Sequence, residues 1–255
     1  MPGLRDPLKQ HWNVTELEII VCMHEHKSDY RDTRQQHHRT HGRRDHAREA
    51  GDVPDERRRG RPPSQTWRTF ITNHVSQLAS GDFFAVPTAT FRVLCVFVVL
   101  MHDRRRVVHV NVTAHPTAAW TAQQLREAWP WDSAPRFVIR DRDGIYGPEF
   151  QATMRAMGIE EVVIASRAPW QNPFVERVIG SLRRECLDHL IVWNERSLRR
   201  HLEQYLAYYH DWRTHLSLDE DAPIPRTVQS PTGGMIVQVP HLGGLRHHDE
   251  RRAAA

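Results

Sequence analysis

Apolar residues are unevenly spread along the 255-residue chain. They gather between Trp67 and Trp212, and their period changes several times within that stretch. Thr66–Ala79 sets Trp67, Phe70, Val75 and Leu78 at helical spacing and predicts a short lead-in helix. Asp82–Thr88, Phe91–Met101 and Val107–Thr113 are rich in Val, Phe and Leu, with turn-like or charged breaks between them. Three such runs joined by short connections predict an antiparallel meander. Thr117–Ala128 carries Trp120 and Leu125 on one face, with Trp129 following and Pro130 as a stop. Strand Arg136–Arg140 comes next, then the turn Asp141-Arg-Asp-Gly144, a helix from Pro148 to Met157 capped by Gly158, and a fifth strand over Ile159–Ala165. Helix–strand alternation after a meander calls for a mixed sheet with parallel later strands and helices on its faces. Two long helices, Asn172–His189 and Glu195–His210, close the domain. Past Arg213 the chain is rich in Pro and Gly, and Met235–Val239 with Leu242–Arg246, turning at Pro240-His241, predicts a small β-element.

The organisation expected is therefore a core over 66–215, a carboxy-terminal extension over 216–255, and a different kind of segment over 1–65. That first segment has one apolar patch, Leu17–Cys22, and is otherwise dominated by His, Arg and Asp. Too few apolar residues offset the entropy of ordering it, so it reads as a disordered tail. Cys22, His24, His26, His37, His38 and His41 offer metal-ligand chemistry, but their spacing fits no zinc-finger template. The arginine run Arg57-Arg-Arg-Gly-Arg61 suits non-specific phosphate contact, with a solvated linker as the plainer reading.

A formal charge of +4 permits a polyanionic partner without requiring one. Three widely spaced cysteines argue against a disulfide framework and for a reducing compartment. The most apolar run, Val93–Met101, is half the length needed to cross a bilayer and ends in His102-Asp-Arg-Arg-Arg106, so a buried strand is expected, no membrane partner, and a cytoplasmic location.

Three acids stand at the junctions of these elements. Asp82 opens an apolar strand-like run, Asp141 follows the Phe137-Val-Ile-Arg140 run, and Glu176 lies on the helix begun by Pro173. Taken singly, each has a plain reading: a strand-entry residue, a turn residue, and an ion-pair partner of Arg177 or Arg183 along the helix. Together they suit a pair of Mg²⁺ ions about 3.5–4 Å apart, the arrangement that drives in-line phosphoryl transfer, if the fold brings two strand ends and a helix together. Asp143 is a rival for the middle position. His102 and His109 flank apolar strands and are most simply structural.

The chain from about Trp67 to Arg226 resembles the retroviral-integrase-type catalytic core of insertion-sequence transposases, the DDE family. The likeness rests on Asp82 on the first strand, on Asp141 ahead of Gly144 and Tyr146, and on Ala168-Pro-Trp-Gln-Asn172 with Glu176 four residues beyond the Asn. Arg183 follows seven residues later, and Tyr209-His-Asp-Trp-Arg-Thr-His215 matches the family's closing Tyr-x-x-x-Arg-x-His. Two departures are Ala168 in place of a Ser and the extra acid Asp143. The separation from Glu176 favours Asp141.

The resemblance implies a ribonuclease-H-like fold, an α/β mixed five-stranded sheet flanked by helices. It further implies catalytic and metal-binding roles for Asp82, Asp141 and Glu176, with Mg²⁺ as cofactor and Mn²⁺ as an alternative. DNA is the implied partner, handled by a homo-oligomer, and Asn172, Gln171, Arg183, Arg184 and Trp170 are the candidate DNA contacts. Each of these has a rival role: N-capping or loop ordering for Asn172 and Gln171, solvation for the arginines, and packing for Trp170. Relatives carry helix-turn-helix segments before the core, and residues 1–65 show no such pattern. A remnant that keeps DNA binding or partner association without chemistry is therefore a competing expectation, and a nuclease acting without strand transfer is a third.

Overall fold

The computed structural model describes residues 66–130, 133–166 and 168–253. The expected tail and its candidate zinc ligands lie outside the described residues. Phe70–Ala255 makes up one compact unit, and helix α1 (Trp67–His74) leads into it.

A five-stranded sheet forms the centre. Its strands are β1 (Leu78–Pro87), β2 (Val93–Met101), β3 (Val107–Thr113), β4 (Phe137–Arg140) and β5 (Glu160–Val163), in spatial order β3-β2-β1-β4-β5. The first three pair antiparallel, and β4 and β5 join in parallel. A meander can turn back through short loops, whereas the parallel strands need helical crossovers, and α2 (Ala118–Ala128) and α3 (Pro148–Ala156) supply them. This is the ribonuclease-H-like order.

Side chains alternate across the sheet. Phe84 and Val86 of β1 and Val96, Val98 and Leu100 of β2 face a core completed by α4 (Pro173–Glu185) and α5 (Glu195–Asp211). The helices answer with buried stripes: Val175, Val178, Ile179 and Leu182 on α4, and Leu198, Leu202, Tyr205 and Tyr209 on α5. On the opposite face Phe83 stacks on Phe97 at 4.6 Å between ring centroids, with Trp120 and Tyr146 packed edge-on or tilted beside them.

Several boundaries differ from the sequence expectation; among them, the helix expected to reach His189 ends at Glu185 and a 3₁₀ turn follows over Leu187–His189. The lead-in helix ends at His74, and a 3₁₀ turn over Val75–Gln77 passes into β1 at Leu78. Asp82 therefore sits mid-strand and does not open it. Leu78 pairs with β4, Ala79 and Ser80 pair with β2 and β4 at once, and this ladder overrides the local helical spacing. The second strand starts at Val93 because Phe91 turns with φ at 60°. The fifth strand is confined to four residues. The terminal hairpin pairs β6 (Met235–His241) with β7 (Arg246–Arg252), so the expected second strand is largely its connection. Gly243 and Gly244 take positive φ there, which makes the Gly pair the turn signal and leaves Pro240 within the strand.

Candidate active site

Asp82 lies on the same face of β1 as Phe84 and Val86, which pack against α4. It therefore faces the helix that carries Glu176 in its first turn. Glu176 is exposed, one residue beyond the buried Val175, at the rim of the packed stripe. An acid at a helix amino terminus is favoured by the helix dipole.

The parallel β1–β4 register matches Leu78 with Phe137, Ala79 with Val138 and Ser80 with Ile139. Carried two residues further, the same offset sets Asp141 opposite Asp82, just beyond the last paired position. The turn after β4 is shaped by its own acids: Asp143 N–H donates to Asp141 Oδ1 at 3.0 Å, and Ile145 N–H donates to Asp143 Oδ1 at 2.9 Å.

The charges register on Asp82. Its carboxyl is held well above the usual carboxylate range, first by burial and then by the negative charges of Glu176 and Asp141. The Phe83 N–H, donating to Asp82 Oδ1 at 2.8 Å, pulls the other way, and Asp143 repels least. Asp82, Asp141 and Glu176 thus share one field, with Asp143 at its edge. The Tyr146 hydroxyl borders it. Burial pushes that phenol well above its ordinary range, followed by Asp141 and Asp82.

Arg140 is a site residue that pattern reading passed over. Its side chain is buried, it donates to the Asp141 carbonyl at 2.6 Å and to Glu161 Oε1 at 2.5 Å, and it lies 5.1 Å from the Tyr146 ring centroid. It holds the Asp141 backbone at the end of β4. An arginine closing an otherwise apolar strand was the available signal, because a buried charge needs partners.

The donor set is all carboxylate oxygen, which is the chemistry of a hard divalent cation. Two further buried oxygens, Asn172 Oδ1 and the Tyr146 hydroxyl, make no hydrogen bond among the described residues. Among the described residues no three His, Cys, Asp or Glu side chains are drawn close enough to hold a metal ion. The acids are neighbours in charge, and their ligating atoms stand apart.

The candidate DNA contacts divide. Trp170 is 61% exposed on the 3₁₀ turn Pro169–Gln171. Gln171 turns inward, its Oε1 accepting from Ala165 N–H at 2.7 Å, which orders the loop. Asn172 is buried at the N-cap position of α4, yet its side chain makes no capping bond. Arg183 is exposed but lies back on β1, donating to the Ala85 carbonyl at 3.2 Å. Arg184 is exposed, with its guanidinium over Gly180.

The Tyr209–His215 stretch works as a clamp. Arg213 forks onto Glu185 of α4 at 2.8 and 2.6 Å, Tyr205 donates to the same carboxylate at 2.8 Å, and Tyr209 donates to the Arg105 carbonyl at 3.0 Å. Both histidines near apolar strands are engaged inside the protein. His102 Nε2 meets Ser80 Oγ at 2.5 Å, and His109 Nε2 meets Gln124 Oε1 at 2.9 Å.

Residues 157–223 match the family model described as "Integrase core domain". The chain is 27% identical over 178 residues to "Insertion element IS476 uncharacterized 39.2 kDa protein" of Xanthomonas euvesicatoria, covering 67% of this chain and 50% of that protein. It spans about half the length of that relative. Among solved structures, the HTLV-2 integrase catalytic core domain in complex with magnesium aligns with a TM-score of 0.42 at 13% identity, over 58% of this chain and 93% of that one. The catalytic domain of Mos1 mariner transposase aligns with a TM-score of 0.46 at 13% identity, over 55% and 77%. No described helix is long and apolar enough to cross a membrane. Residues 157–223 are thus similar to the integrase core domain, and the sheet beside them has the ribonuclease-H-like strand order.

Proposed function

We propose that this chain cuts and rejoins DNA backbones, as a transposase or integrase, with Asp82, Asp141 and Glu176 holding divalent cations. The observation that carries the reading is the shared field at Asp82, which comes from two adjacent strands and the helix packed over them. In the reaction the oxygen of water or of a DNA 3′-hydroxyl forms a bond to a backbone phosphorus. The phosphorus–oxygen bond to the leaving 3′-oxygen breaks, the nucleophile's proton passes to solvent, and the leaving oxygen takes up a proton from solvent to end as a 3′-hydroxyl. Bound Mg²⁺, with Mn²⁺ as an alternative, would activate the nucleophile and stabilise the leaving oxygen.

The protein's own contribution is placement. Asp82 stands central and would serve both cations, with Asp141 and Glu176 serving one each. The preference for Asp141 over Asp143 is supported by the β1–β4 offset and by its stronger effect on Asp82. Arg140 anchors the Asp141 backbone. Asn172 and the exposed Trp170 border the first turn of α4, where the substrate strand would lie, and the exposed Arg184 stands in its last turn. Action on two element ends would require a multimer, so a homo-oligomer on DNA is part of the proposal.

Strand transfer on a labelled oligonucleotide with Mg²⁺ tests it. Asp82→Asn, Asp141→Asn and Glu176→Gln are expected to lose at least a thousandfold, and Asp143→Asn far less. Equal activity in wild type and the three variants would sink the assignment. A second reading is a chain that binds DNA or a partner without chemistry. It is favoured by the absence of an assembled three-ligand cluster among the described residues. DNA binding by a wild type that transfers no strand would select it.

A further inference from the structure

A second feature lies at the far end of β1, away from the acids. From Asp82 the chain runs six residues on, past the end of β1 at Pro87 to Thr88, about 20 Å at the rise of an extended chain. There the β1–β2 turn and the start of α5 enclose an open cleft of about 340 Å³. Thr88, Thr90 and Arg92 form one wall, and Trp193, Glu195 and Arg196 the other. The walls are tied together by the Ala89 N–H donating to the Val192 carbonyl at 2.7 Å. The turn itself is braced by Thr88 Oγ1, which meets Thr90 Oγ1 at 2.9 Å and donates to the Arg92 carbonyl at 2.9 Å. The cleft is therefore built in advance of any ligand.

Its chemistry is that of a nucleic-acid strand. Arg92 and Arg196 are exposed and enter no ion pair among the described residues. The acid in the wall, Glu195, is already held by Arg199 at 2.7 Å, so the cleft keeps net positive charge. The first turn of α5 is satisfied by the Asn194–Ser197 capping box, so these guanidinium groups, and not the helix end, are what an anion would meet.

Two aromatic side chains are exposed here: Trp193, in the cleft wall and 59% exposed, and Phe91, outside the lining but between Thr90 and Arg92 in the β1–β2 turn and 73% exposed. Phe91 is held at φ 60°, a conformation costly for a bulky residue, and strain of this kind gathers at functional sites. Exposed rings alternating with arginines form a platform on which unstacked bases lie while phosphates meet the cations. A duplex hides its base faces and cannot use the rings.

We propose that this cleft binds a single-stranded or splayed stretch of DNA, with Trp193 and Phe91 stacking on bases and Arg92 and Arg196 taking the phosphates. The inference rests on the reading that the chain acts on DNA, but its test does not need the chemistry. Fluorescence anisotropy with a labelled oligothymidylate of roughly 15–20 nucleotides, in EDTA, reads binding alone.

Trp193→Ala is expected to weaken binding about five- to 150-fold, with Trp193→Phe keeping most of the affinity. Arg92→Ala with Arg196→Ala is expected to reduce the slope of log affinity against log salt by about 1.4, from two phosphates at about 0.7 each. The same variants should change duplex affinity much less. Unchanged single-strand affinity and salt slope would overturn the proposal. So would a loss accompanied by a shift from oligomer to monomer in sedimentation, which would make the cleft a subunit interface. Single-strand affinity lost in the cleft variants, with no strand transfer by wild type, would leave this inference standing and remove the catalytic one.

Discussion

His102 and His215 each keep a neutral imidazole inside the protein. Burial, with the charge of Arg105 behind it, lowers His102 to about 3, and burial followed by Arg213 and Arg105 lowers His215 to about 4. In the unfolded chain both would protonate near pH 6.5. Between pH 6.5 and about 4 the unfolded state therefore binds more protons, and stability falls as pH falls. The slope approaches about 1.4 kcal/mol per pH unit for fully buried His102, and less for half-buried His215, where solvent screens the charge. Urea midpoints are expected to drop steadily from pH 6.5 to 4.5, and His102→Gln should flatten that drop. A wild-type midpoint independent of pH over this range would contradict the assignment. Neither effect could be read from sequence: His102 was placed beside an apolar strand, but its contact with Ser80 is long-range. The three acids, by contrast, stood out in sequence because Asp141 and Glu176 border recognisable elements and Asp82 lies within the apolar run of β1.

The next level up is the helix pair. α4 and α5 share an apolar interface, and the Glu185 carboxylate adds the main polar fastening between α4 and the end of α5. Burial pushes this carboxyl up, but hydrogen bonds from Arg213 and Tyr205 outweigh it and hold it below its ordinary range. Arg213→Ala would strand Glu185 beside Tyr205 with much of its charge unmatched. For a partly exposed pair the expected cost is roughly 2 kcal/mol, read as a lower urea midpoint with an unchanged m-value. Glu185→Gln with Arg213→Ala should recover part of it, because no charge is then left alone. A cost below about 0.5 kcal/mol would show that packing alone sets the helix pair. The motif Tyr209–His215 stood out in sequence as a likeness alone; neither its fastening role nor its partner Glu185 was legible, since nothing local links residues on separate helices. The hairpin's second strand was misplaced for a different reason. β7 reads Arg-His-His-Asp-Glu-Arg-Arg and has no apolar alternation to find.

For the molecule as a whole, element order alone predicted the mixed sheet, because a meander followed by helix–strand pairs leaves few topologies open. What sequence lacked was the β1–β4 offset, a two-body quantity that decides which acid of the Asp141–Asp143 turn lies beside Asp82. The same architecture has a cost outside the native state. All but the terminal residues of β2 are buried, and the strand pairs on both sides, so Val-Leu-Cys-Val-Phe-Val-Val-Leu-Met is safe only once β1 and β3 have closed over it. Before that it is an uncharged β-branched nonamer, the composition that self-associates into cross-β stacks. The charged stretch just after it, with Asp103 and Arg106 both exposed, acts as a gatekeeper in the unfolded chain. Asp103→Ser with Arg106→Ser should leave the folded protein's urea midpoint unchanged while raising the aggregated fraction on dilution from denaturant. Equal recoveries across protein concentrations would refute this. The strand that centres the fold would then also be what limits how concentrated a refolding chain can be.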